Sequence, residues 1–338
     1  MTVIAFGPPP VGQSPVPLPP PRPAASARHI APWIRRLIGL GLLAGALVID
    51  RSALFLIPVL FVLIVPLEKL FPRHRQQFRR PGLATDMAFG VSQPVMTVLA
   101  GIVGLIVGLV SLAWLPGLAL RPLVLALPAP MRLVAGVLLF DLIIYWVHRW
   151  SHEVGFLWRF HSVHHSTEHL DWVSGLRGHP FDGALLAPPF VFLLAAGFSL
   201  ETAGALTVVQ IVTGLFLHAN VRWRWRPLHR IIITPEFHHW HHADEPDAHH
   251  TNYSVFLPIW DIAFGTYFMP RHRRPAQYGV TPPLPEGFVP LLRHPFIGLR
   301  TPRDVVRHPA VTMRSWHRSV RRGIRQLAAT SRRPHARP

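Results

Sequence analysis

Apolar residues in this chain gather into long runs separated by short basic stretches, and that alternation predicts helical hairpins. The first run, Leu37 to Leu67, is interrupted by Asp50-Arg51, which reads as the turn of a hairpin. A second pair, Met87–Trp114 and Leu133–Val147, is joined by a proline- and glycine-marked link from Pro116 to Pro130. A third run, Ala184–Leu217, is broken by Pro188-Pro189 and by Glu201. About 20 apolar residues cross a bilayer. The second pair therefore predicts full spans, and the outer two runs are expected to be short or re-entrant. The expected fold is all-α and integral to the membrane.

Charge sharpens this picture. The formal net charge is +18, from 34 basic and 16 acidic residues, and Lys69 is the only lysine. Arg35-Arg36 precede the first hairpin, and Arg73, Arg75, Arg79 and Arg80 separate it from the second. Arg149 and Arg159 follow the second hairpin, and Arg222, Arg224, Arg226 and Arg230 follow the third. Each hairpin thus has arginine at both ends, and the positive-inside rule places those ends in the cytoplasm. A multi-pass protein of a bacterial inner membrane is expected. No basic start leads directly into an apolar core and cleavage site, which argues against a secretory signal.

Four regions follow. Residues 1–33 are a proline-rich arm too poor in large apolar side chains to order itself, and 34–84 form the first hairpin and a basic loop. Residues 85–270 hold the remaining runs, and 271–338 form a basic tail. Within that tail Met313, Trp316, Val320, Ile324 and Leu327 share one helical face, which fits an amphipathic helix on an anionic membrane surface. No nucleic-acid-binding module accompanies the positive charge, so no nucleic-acid partner is expected.

Between His148 and His250 the chain places fifteen histidines in 103 residues. Nine of them form the clusters His148-Arg-Trp-Ser-His152, His161-Ser-Val-His164-His165 and His238-His239-Trp-His241-His242. Spacings of three and four residues place imidazoles on one helix face, and histidine is the commonest metal-ligating side chain. His239 points away from its neighbours in such a helix. Asp141 lies two turns before His148 and could accept the second ring N–H of a ligand. His218-Ala-Asn220 closes the third apolar run at the same membrane depth, and Arg177-Gly-His179-Pro180 offers a further ligand or supporting group. Without a metal, so many crowded imidazoles would leave polar groups unsatisfied.

Cysteine is absent, which excludes disulfides, cysteine-held iron–sulfur clusters and thiolate-held haem, so nitrogen and oxygen must hold any metal. The candidate ligands exceed what one structural or hydrolytic zinc requires, and the His-Glu-x-x-His peptidase signature is missing. Imidazole suits iron, zinc and copper alike. A di-metal oxygenase, a membrane zinc hydrolase and a metal-storage or transport protein all remain open on spacing alone. Transport would require a polar path, whereas ionisable residues in the runs are few: Asp50, Arg51, Asp141 and Glu201.

The segments Asp141–His152, Leu157–Ser166 and Pro235–His242 closely resemble the fatty acid hydroxylase/sterol desaturase superfamily. So do Arg177-Gly-His179-Pro180, His218-Ala-Asn220 and Asn252-Tyr253…Trp260-Asp261…Phe264-Gly265-Thr266-Tyr267. One departure is Ser254, where glycine is common; it bears on a loop. The resemblance covers about residues 85–270. It implies four transmembrane helices under a cytosolic histidine-rich cap and a non-haem centre of two iron ions. It also implies that His148, His152, His161, His164, His165, His218, His238, His241 and His242 are the ligands. His179, Asp141 and Asn220 are then candidates for an extra ligand or a supporting role. The implied reaction is hydroxylation of a lipid C–H bond (fatty acyl, sterol or isoprenoid) with dioxygen. Electrons would come from a reductase, a ferredoxin or a cytochrome b5-like protein. Desaturation or ether-lipid oxidation at the same site is the alternative, and Ser166-Thr167-Glu168 resembles the ether-lipid branch.

Overall fold

The computed structural model describes residues 51–224 and 226–299, together with Gly41. The proline-rich arm, the Asp50 side of the first turn and the 313–327 helix lie outside the described residues. The membrane portion comprises α1 (Arg51–Leu70), α2 (Leu83–Val110), α3 (Trp114–Ala126) and α4 (Ala129–Glu153). It continues, after the first cap helices, with α7 (Ala187–Ala195) and α8 (Leu200–Leu217). The cap elements are α5 (Gly155–His165), α6 (Pro180–Gly183), α9 (Pro235–His241), α10 (Ile259–Ala263) and α11 (Phe288–Arg293). Among the described residues there is no β-strand, only isolated bridges at Pro72–Val221 and Ala243–Tyr278.

Three described helices, α2, α4 and α8, are long and apolar enough to cross a membrane. Their outward faces are bare hydrocarbon: on α2, Ile102 is 60 % and Leu105 63 % exposed. Water would make such a surface costly, and lipid makes it favourable. The chain is a multi-pass membrane protein.

Two sequence expectations change in detail. The Pro116–Pro130 link is not irregular, because most of it is α3. Its Pro122 lies inside that apolar helix. Likewise Pro188-Pro189 do not break a span but sit in the first turn of α7, where proline's missing N–H is no loss. Ser199 caps α8 by accepting the Thr202 N–H at 3.2 Å, so Glu201 falls in that helix's first turn.

Small residues let α7 lie close to its neighbours. A Cβ on Gly117 would stand 2.6 Å from the Phe192 carbonyl oxygen, and one on Gly108 would stand 2.8 Å from Val191. Phe140 and Ile144 of α4 then meet Phe192, Leu193, Phe198, Leu206 and Phe237 in one apolar core. That core fixes the end of α4 and the start of α9, the two helices that carry the outer histidine clusters.

Candidate metal centre

The nine histidines come together as two groups, and neither group follows the cluster boundaries. His148, His152, His161, His165 and His241 each present a ring nitrogen within 4.8 Å of the others. His164, His218, His238 and His242 do the same. The second cluster is therefore divided, with His161 and His165 in one group and His164 in the other. The third is divided too, His241 against His238 and His242. Helical spacing put these residues near one another, but the one-residue offsets turn adjacent rings toward different centres. The groups abut where His165 and His242 stack, with ring centroids 4.2 Å apart.

Hydrogen bonds fix which nitrogen each ring offers. His148 Nδ1–H donates to the Tyr253 carbonyl at 2.7 Å and His241 Nδ1–H to the Thr251 carbonyl at 3.0 Å. His164 donates to the Arg177 carbonyl at 2.9 Å and His218 to the Gly214 carbonyl at 2.7 Å. A carbonyl has no proton to give, so each Nδ1 holds the hydrogen and each Nε2 of a neutral ring is a bare lone pair. Burial, then the charge of neighbouring rings, pushes His164 down to about 4 and His218 down to about 3. The same causes hold His165, His238, His241 and His242 well below the ordinary imidazole range. These rings are neutral at physiological pH.

The lone pairs of His164 Nε2 and His218 Nε2 consequently face each other at 3.2 Å. Two lone pairs at that distance repel, and a cation between them removes the repulsion. His161 Nε2 and His165 Nε2 are buried with no hydrogen-bond partner. Ring orientation, neutrality and these orphaned nitrogens all fit a metal ion in each group.

The carboxylate hydrogen-bonded to a ring of the two groups is Asp182. His161 Nδ1 donates to the two Asp182 oxygens at 3.1 and 3.0 Å. Burial alone would raise the Asp182 carboxyl, but the His161 ring holds it below the usual carboxylate range. Asp141 instead accepts the backbone N–H groups of Phe256 and Leu257, both at 3.0 Å. It pins the loop whose Tyr253 carbonyl orients His148, one step removed from the ring. His179 is also outside both groups; its Nδ1 accepts the Phe181 N–H and caps α6, and its Nε2 reaches the Leu292 carbonyl. Asn220 brackets the His74 backbone with both ends of its amide. His239 lies between Tyr278 Oη and the Ala219 carbonyl, away from both groups as its helical position foretold.

The remaining motif residues are scaffold. Asn252, at φ 61° in the left-handed region that asparagine tolerates, ties Phe237 to Phe268. Asp261 accepts the Tyr253 and Ser254 N–H groups and the Thr266 hydroxyl. Arg177 Nε bonds Asp86 at 2.5 Å, and Arg80 bridges Asp86 and Asp171, so the root of α2 is tied to the segment whose carbonyl holds His164. Asp182 was the residue hidden from sequence reasoning. Its one signal is an acidic residue, scarce in this chain, two positions after the Arg-Gly-His-Pro motif.

A cavity of about 530 Å³ lies beside α4, lined by Ile143, Trp146, Val147 and Trp150. At 3.6 residues per turn these positions fall on the face of α4 opposite His148 and His152. The cavity is therefore separate from the histidine groups.

Membrane helices under a cap of nine converging imidazoles define an integral-membrane protein with a two-part, all-nitrogen candidate metal centre. Residues 133–266 match the fatty acid hydroxylase family. It is 34 % identical over 170 residues to an ornithine lipid hydroxylase of Rhizobium tropici, covering 50 % of this chain and 51 % of that one. It is 34 % identical over 154 residues to an alkylglycerol monooxygenase of Danio rerio, covering 43 % and 32 %. A very-long-chain aldehyde decarbonylase of Oryza sativa subsp. indica is 30 % identical over 139 residues, 37 % and 21 % of the two chains. The matched stretch spans about half or less of each of these relatives. No solved structure matches the chain.

Proposed function

We propose that the protein is a non-haem di-iron oxygenase that hydroxylates a C–H bond of a membrane lipid. The observation that carries this reading is the division of nine converging imidazoles into groups of five and four. A hydrolytic zinc needs three protein ligands and a water, so two complete nitrogen sets exceed that requirement. Iron held by these residues supplies the oxidising power that dioxygen provides for an unactivated C–H bond.

The chain's own contribution is orientation and exclusion. Backbone carbonyls of Tyr253, Arg177, Gly214 and Thr251, with the Asp182 carboxylate, hold the ring protons on Nδ1 and aim the opposite nitrogens inward. His161, His165, His218, His238, His241 and His242 are all buried, which keeps water from intercepting the reaction. Hydroxylation consumes one lipid C–H, dioxygen, two electrons and two protons, and yields an alcohol and water. This chain has no cysteine to hold an iron–sulfur cluster, and an electron carrier supplies the two electrons.

By their names, the relatives act on an ornithine lipid and on an alkylglycerol, and this supports a membrane lipid as substrate. The catalytic domain is residues 85–270, and arginine at both ends of each hairpin supports a cap in the cytoplasm. The test is lipidomics of strains with and without the protein. A lipid one oxygen heavier than its precursor should disappear with the protein. An unchanged lipid profile, with purified protein holding a single zinc, would favour hydrolysis.

A further inference from the structure

Tyr253 is fully buried, yet its hydroxyl has no hydrogen-bond partner. Its ring stands against three histidines of the larger group, with centroids 5.8 Å from His148, 5.3 Å from His152 and 5.9 Å from His241. On its other side an unbroken aromatic series leads outward. Tyr253 meets Tyr145 at 5.9 Å, Tyr145 meets Trp146 at 5.6 Å, and Trp146 meets Trp150 at 6.0 Å. Trp150 is 44 % exposed. Packing alone would explain any one of these contacts. It does not explain a continuous line of oxidisable rings from the ligands to the surface.

We propose that Tyr253, Tyr145, Trp146 and Trp150 form a relay that drains oxidising equivalents from the five-histidine group when no substrate is within reach. The proposal rests on the oxygenase reading above. Full reduction of dioxygen to two waters takes four electrons and four protons. The external donor supplies two electrons per cycle, and without a C–H bond to oxidise the other two must come from the protein. Ligand imidazoles are the nearest source, and their oxidation would destroy the centre. The relay supplies those electrons from Trp150 instead. In each transfer Trp150 would lose one electron to a bound centre and release its indole N–H proton at the cap end of α4. A soluble thiol or ascorbate-type reductant then restores the residue.

The surroundings give the relay a direction. A tyrosine keeps an oxidised state only by releasing its phenolic proton to a base. Tyr253 Oη has no partner, whereas Tyr145 Oη meets the Arg149 guanidinium at 3.2 Å and the Thr266 hydroxyl at 3.0 Å, which in turn donates to the Asp261 carboxylate. Tyr253 therefore passes the charge on to Tyr145. The Arg149 cation lies 5.3 Å over the Trp146 ring, which disfavours positive charge there as well. The charge comes to rest at Trp150, the exposed ring in the last turn of α4, at the cap end of that span. Trp158 offers the competing exit: it is half-buried and lies 5.1 Å from His152 and 5.5 Å from His165.

The experiment exposes iron-loaded, reduced full-length protein in lipid nanodiscs to dioxygen without substrate. Residues that gain oxygen are mapped by peptide mass spectrometry, with freeze-quench radical spectroscopy alongside. Oxidation should concentrate at Trp150. In Trp146→Leu, remote from the ligands, it should fall several-fold at Trp150 and rise at His152 and His241, with initial iron content unchanged. Tyr253→Leu should shift the pattern in the same way. Marks on Trp158 with Trp150 intact would overturn the relay, as would Trp150 oxidation that is equal in Trp146→Leu or in iron-free protein. Failure to load iron, or to consume dioxygen at all, would instead sink the oxygenase reading.

Discussion

At the scale of single residues, the structure separates the ring nitrogens that converge from the groups that aim them. His161 is aimed by Asp182, so Asp182→Asn should keep the fold and lower metal affinity by about 10- to 100-fold, the usual cost of losing such a support. Metal titration of the variant against the parent checks this, and equal affinities would remove Asp182 from the account. His164→Ala and His241→Ala remove one ligand from different groups, so each should lose iron mainly from its own group. Iron quantification paired with Mössbauer spectra would show it. The ligand candidates were legible because histidine at three- and four-residue spacing is rare without a reason. The supporting groups were not, because four of the five are backbone carbonyls and a sequence does not show where a carbonyl points. Asp141 shares the helical register of His148, while its oxygens accept two amides from a loop 115 and 116 residues away.

Among elements, the hairpin pattern was readable and its joints were not. Proline marked Pro116–Pro130 and Pro188-Pro189 as breaks, yet proline also begins helices and is tolerated inside apolar ones, and α3 and α7 use both allowances. The contact between these two helices is close enough to test. Gly117→Val would push a side chain into the Phe192 carbonyl, which backbone cannot easily vacate. A loss of about 1–3 kcal/mol is expected, the range for overpacking a filled site. Thermal unfolding in detergent should show a lowered midpoint, and an unchanged midpoint would mean that α3 and α7 are not held this closely. The same logic applies to the Asp141 clamp. Asp141→Leu leaves two loop amides without acceptors, at about 1–3 kcal/mol each, and frees the loop that carries the Tyr253 carbonyl. Stability and iron retention should fall together.

For the whole molecule, both membrane pairs open toward the cap: α2 and α7 leave it, and α4 and α8 return to it at His152 and His218. Reporter fusions after Arg80 and Arg230 should therefore report the same side of the membrane, and the arginine distribution predicts the cytoplasm. A signal from opposite sides at the two positions would separate the histidine clusters and dismantle the shared site. The most direct measurement of the central claim follows the oxygen itself. Iron-loaded protein, an electron donor and polar membrane lipid are incubated under isotopically labelled dioxygen, and the product is read by mass spectrometry. One labelled oxygen atom in a hydroxylated lipid is the predicted result. Label taken only from water, with turnover undiminished under argon, would contradict it.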